Sequence, residues 1–141
     1  MTILIGFILF VIFLSLSLIH FYWGLGGKWG INDSVPRNKN DEAIMKPRMF
    51  DCFLIALGLL IFGVFILIKI QLFLLSLPHV VRYWGLPLIG AIFILRAVGE
   101  FKYVGFFKRI KSSNFAQLDT KYYSPLCLFI GIMIIILQLL T

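Results

Sequence analysis

Residues 50–77 read FDCFLIALGLLIFGVFILIKIQLFLLSL, with Asp51 and Lys69 the only charged side chains in the run. A helix needs roughly 20 apolar residues to cross about 30 Å of hydrocarbon, and this run exceeds that length. It lacks the apolar–polar alternation of a membrane strand. Three more apolar segments accompany it, at residues 2–23, 84–107 and 124–140. The chain has 141 residues, 61% of them hydrophobic and 13% charged, so too little polar surface exists to cover a soluble globule. Within lipid, only a helix satisfies every backbone group inside one spanning segment. The sequence therefore predicts an all-α integral membrane four-helix bundle of antiparallel hairpins, one domain over 1–141, with long loops at about 24–49 and 108–123.

The first apolar segment has no basic stretch ahead of it and no small-residue cleavage motif behind it, and it is read as a retained helix rather than a leader. Cys52 and Cys127 lie far apart without a C-x-x-C pairing. Neither a disulfide framework nor a metal knuckle is signalled, and no metal or cofactor is expected.

Charge distribution predicts the orientation. Lys28, Arg37, Lys39, Lys46 and Arg48 fall in the first connection, and Lys102, Lys108, Arg109, Lys111 and Lys121 in the third. The opposite face carries only Lys69 and Arg82. Positive loops are held in the cytoplasm, so both long loops are expected inside and both termini outside, in a bacterial inner membrane. The formal charge of +7 then needs only anionic lipid headgroups as partner. No basic run or base-stacking motif points to nucleic acid. Tyr22, Trp23, Trp29, Tyr83, Trp84, Tyr122 and Tyr123 read as interfacial belts, and Ser124-Pro125 as the start of the last helix.

Most of the chain's rare polar groups that fall within or beside apolar segments collect toward the basic face: His20, Asp51, Arg96, Glu100 and Asp119. With the third helix drawn from Trp84 to Phe107, Arg96 would lie about 18 Å into the membrane, where an ionisable group faces inward with a partner. Glu100 is the nearest choice, four residues on, with Asp119 and Asp51 as alternatives. Such a pair fixes helix packing or forms part of a binding site, and the sequence alone leaves both open. His20 beside Asp51 would make an acid–base pair. Gly26, Gly27 and Lys28, in the aromatic-rich exit of the first helix, read either as a helix cap or as an anion cradle, with Lys102 a further headgroup contact. Gly99 and Gly105 read as sites of close helix approach, on a third helix continuing as an interfacial amphipathic stretch.

Three blocks carry a family resemblance: His20-x-Tyr22-Trp23-x-x-Gly26-Gly27-x-Trp29-Gly30, the run Leu95 to Lys108, and Phe115-Ala116-x-x-Asp119-Thr120-x-x-Tyr123-Ser124-Pro125-Leu126. Together they resemble the small bacterial membrane proteins grouped as domain-of-unknown-function family 3995. The resemblance implies a four-helix inner-membrane protein. It supplies no activity and no catalytic residues. Three functions remain open: binding of a lipid-like or anionic amphipathic ligand, an accessory role docking another membrane protein, or a small membrane-embedded enzyme using His20. A transporter fits less well, because the other half of the bundle has almost no polar residues to line a path.

Overall fold

Apolar segments that satisfy their own backbone hydrogen bonds become the four long helices of the protein, described by a computed structural model over residues 1–141. They are α1 (Thr2–Gly24), α2 (Met49–Lys69), α3 (His79–Val98) and α4 (Asn114–Leu140), each long and apolar enough to cross a membrane. A short 3₁₀ turn at Asn32–Ser34 interrupts the first connection. Helix α1 packs along α2, and α3 along α4, with the two antiparallel hairpins joined chiefly where α1 meets α4.

Leu9, Phe13, Ile66, Leu86, Ile130 and Ile134 are wholly inaccessible. Phe13 ties three helices together, meeting Phe62 of α2 edge-on at 6.1 Å and Phe93 of α3 at 5.3 Å. Small residues set how closely the backbones approach. A Cβ on Gly131 would lie 3.3 Å from the carbonyl oxygen of Gly90, so α3 and α4 meet almost backbone to backbone. The Ser17 hydroxyl donates to the Ala56 carbonyl at 2.7 Å, a buried polar link between α1 and α2. The outward faces are apolar, with Phe7, Leu54, Ile61, Leu88 and Leu139 exposed, as lipid-facing surfaces require.

The helix ends differ from those expected. Helix α2 stops at Lys69 rather than Leu77, because Gln71 adopts φ +63° and the N–H groups of Gln71 and Leu72 turn back to Ile68 O and Leu67 O. That is a Schellman cap made without glycine, invisible to a hydropathy reading. Helix α3 begins at His79, five residues before Trp84, and ends at Val98 rather than Phe107. Gly99 at φ +80° and Phe101 at φ +69° reverse the chain there, and the Phe106 N–H returns to Ala97 O at 2.9 Å. No amphipathic extension of α3 exists, and Gly99 and Gly105 pack on each other instead of on a neighbouring helix. A Cβ on Gly105 would stand 2.6 Å from Gly99 Cα.

Arg96 consequently lies in the last turn of α3 and not deep in mid-helix. A cation there also complements the helix dipole. Ser124–Leu140 is the last regular α-helical stretch, with Pro125 in its first turn as expected, but helical winding starts ahead of it. Helix α4 begins at Asn114, where the Ser113 hydroxyl accepts the Ala116 N–H at 3.1 Å. The helix then passes through a π turn at Asp119–Tyr123, in which the Ser124 N–H reaches back to Asp119 O. The widened turn makes room for Pro125, whose ring would otherwise clash with the carbonyl four residues earlier.

Alanine substitution separates the two kinds of glycine. Gly99→Ala, placed at positive φ against the Val104 backbone, is expected to lower the melting temperature in mild detergent clearly. Gly58→Ala, facing open space within α2, should be neutral or stabilising by less than about 1 kcal/mol.

Candidate polar site at the basic end

A buried carboxylate is stable only where charge and hydrogen bonds replace its water, and Asp119 meets both conditions. Its side chain is completely inaccessible. Oδ1 accepts from Arg96 Nη2 at 3.0 Å, while Oδ2 accepts from the Gly105 N–H at 2.8 Å and from Lys108 Nζ at 3.2 Å. Lys108 is equally buried and distributes its three N–H groups to Asp119, to Gly105 O at 3.0 Å and to the Thr120 hydroxyl. The return loop between α3 and α4 delivers both donors: its Gly105, at φ +90°, aims an N–H at the carboxylate while Lys108 folds underneath.

The cluster holds two cations and one anion, so it keeps one net positive charge. Both oxygens of Asp119 and all three donors of Lys108 are engaged, but Arg96 is not fully paired: Nη1 is buried without a partner, on a side chain 35% exposed. The hydroxyl of Ser124, further along α4, is also buried and unpartnered. Arg96 Nη1 is the donor of this cluster that lacks an acceptor.

The remaining expected residues are dispersed. Glu100 lies past the end of α3, where the four-residue spacing to Arg96 no longer defines a shared face, and its exposed carboxylate accepts the Tyr103 N–H. Asp51 is exposed and caps the start of its own helix by accepting the Arg48 N–H at 3.3 Å. His20 Nδ1 is 2.7 Å from Leu16 O and its ring meets Trp23 edge-on at 5.0 Å. No hydrogen bond joins His20 to Asp51. Gly26 and Gly27 donate to Trp23 O and Tyr22 O at 3.0 and 2.9 Å, a Schellman cap closed by the Tyr22 ring over Gly27. Lys28 is exposed, and Lys102 places its ammonium 5.0 Å from the Tyr103 ring.

Lys108 is the member of the buried cluster that sequence reading missed, since it looked like one more loop cation. The signal was the glycine pair Gly99 and Gly105 bracketing an acid and a lysine, a pattern better suited to a tight reversal than to a helix. The first connection also docks here, with the Tyr123 hydroxyl donating to Asp33 O at 3.0 Å and Asn114 Nδ2 to Asp33 Oδ1 at 2.6 Å.

A family described as "Protein of unknown function (DUF3995)" matches residues 13–134. The chain belongs to this family. The match spans all three blocks that carry the resemblance, so the Arg96–Lys108–Asp119 cluster lies wholly within the family's domain. No curated protein and no solved structure matches the chain. It is a small multi-pass membrane protein of a family whose activity is unassigned.

Lys108 should behave unlike its neighbours under amine-reactive labelling of the native protein. Lys102, Lys111 and Lys121 are expected to modify readily and Lys108 only on unfolding, as read by peptide mass spectrometry. Lys108→Met leaves Asp119 with one cation and should cost roughly 3 kcal/mol of stability, whereas Lys111→Met should cost almost nothing.

Proposed function

We propose that this protein binds an anionic, lipid-like amphipathic ligand at the basic end of its bundle, with Arg96 as the anion contact. One observation carries the reading: Asp119 accepts from only one arm of Arg96, so Nη1 stays buried without an acceptor in a cluster of net positive charge. A phosphate or carboxylate oxygen at that nitrogen would satisfy the donor and offset the charge, since guanidinium groups bind such anions in fork geometry. The surrounding surface favours a membrane-borne ligand, because Lys102, Arg109, Lys111 and Lys121 are exposed around the same end. His20 and Asp51 contribute helix capping and packing to this reading rather than proton transfer.

The saturation of Asp119 supports a second reading, in which the cluster is a structural lock and the basic loops dock another membrane protein. In either case the ten loop cations on one face against two on the other support cytoplasmic loops, outward termini and residence in a bacterial inner membrane.

Native mass spectrometry of protein released gently from its membrane tests the first reading. Wild type should carry a discrete anionic adduct that Arg96→Met lacks while still folded. If both lack an adduct and Arg96→Met melts markedly lower, the structural lock is the better account. Orientation has its own check: Asn40→Cys, in a chain whose native cysteines are replaced, should react with an impermeant maleimide only after cell lysis. Ser76→Cys should react in intact cells.

A further inference from the structure

The opposite end of the bundle holds a second concentration of positive charge that the first site does not use. Lys69, at the end of α2, donates to the Arg82 carbonyl of α3 at 2.7 Å, which sets two cationic residues side by side. All six Asp and Glu residues of the chain lie at the other end, so no acidic side chain offsets this pair. A cavity of about 370 Å³ opens beside them, lined also by Gln71, Ser76, Phe73 and Leu75. Its polar and apolar walls come from the α2–α3 loop, which the positive φ of Gln71 folds back over the helix ends.

We infer that this cavity holds the phosphate of an anionic membrane phospholipid, with Lys69, Arg82, Gln71 and Ser76 facing the phosphate oxygens and the apolar residues of the loop facing the acyl region. Charge and setting together select this occupant. Uncompensated cations with amide and hydroxyl neighbours suit a phosphate diester, which remains charged throughout the physiological range. The rim explains why that phosphate belongs to a lipid: Leu74 is 98% exposed and Leu72 and Trp84 are more than half exposed, at the end of two membrane-crossing helices. Such a tip is stable when its apolar side chains enter the headgroup–acyl boundary, which brings the cavity level with lipid phosphates. Helices α2 and α3 are joined by side chains such as Phe65 on Gly85 rather than by close backbone approach. A phosphate bridging Lys69 and Arg82 would clamp their ends.

The test uses the full-length protein in nanodiscs containing a diazirine-bearing phosphatidylglycerol, or the matching phosphatidylcholine, with crosslinks mapped by peptide mass spectrometry. Phosphatidylglycerol should label residues 70–82 in roughly 30-fold excess over phosphatidylcholine, the size two basic groups near an anionic surface supply at about 1 kcal/mol each. Lys69→Gln with Arg82→Gln should abolish that excess, whereas Lys69→Arg with Arg82→Lys and the distant Arg96→Met should keep it. Unlabelled phosphatidylglycerol should chase the signal and inorganic phosphate should not. Equal labelling by the two lipids would overturn the inference. So would an excess retained by the double glutamine variant or lost from a folded charge-preserving variant. Chase by inorganic phosphate would reassign the cavity to the free anion. The chase and the lipid comparison on wild type remain decisive even if the double glutamine variant fails to fold.

Discussion

The buried Asp119 carboxylate needs donors in place of water, and the contact it makes with them draws together three separate pieces of chain. Arg96 arrives from the last turn of α3, the Gly105 N–H and Lys108 from the return loop, and the carboxylate itself from the π turn of α4. The local backbone follows from that requirement. Gly99 and Gly105 must lie backbone against backbone for the loop to turn tightly enough, and the π turn sets Asp119 on the face that the loop covers. A helix of ordinary pitch through Pro125 would crowd the carbonyl four residues earlier, so the widened turn resolves two problems at one place.

The rest of the bundle is organised by apolar packing and makes fewer demands. Phe13 bridges three helices, and the Gly90–Gly131 approach sets the spacing of α3 and α4. Lipid-facing side chains contribute little directional force because the surrounding solvent is as apolar as they are. Specific polar contacts therefore carry more of the burden of fixing one arrangement at the basic end. The contact of Asp33 with Tyr123 and Asn114 extends the same principle to the first connection, which is held against α4 rather than left to drift.

Helix number, type and antiparallel order were legible in the sequence because membrane crossing depends on long apolar runs, which hydropathy reads directly. The end of α2 and both ends of α3 were not. Gln71 makes a left-handed cap that no composition rule announces, and the reversal at Gly99 looked like a helix because Phe101, Tyr103, Phe106 and Phe107 kept the run apolar. Misplacing that end put Glu100 on a shared face with Arg96 and turned Lys108 into an ordinary loop cation. The pairing of Arg96 with Asp119 was visible as an alternative, since both fall toward the basic face. Choosing it required knowing which backbone N–H groups the loop would present.

The coupling of Lys108 to Asp119 tests the central claim most directly. In a double-mutant cycle, Lys108→Met, Asp119→Asn and the combined variant would be unfolded reversibly in a bilayer mimic beside wild type. If the buried carboxylate organises the basic end, the two substitutions are strongly non-additive, with a coupling above about 1 kcal/mol, because each alone leaves the other group without its partner. Additive losses would mean that Lys108 and Asp119 do not depend on one another, and the account of this end of the bundle would be wrong.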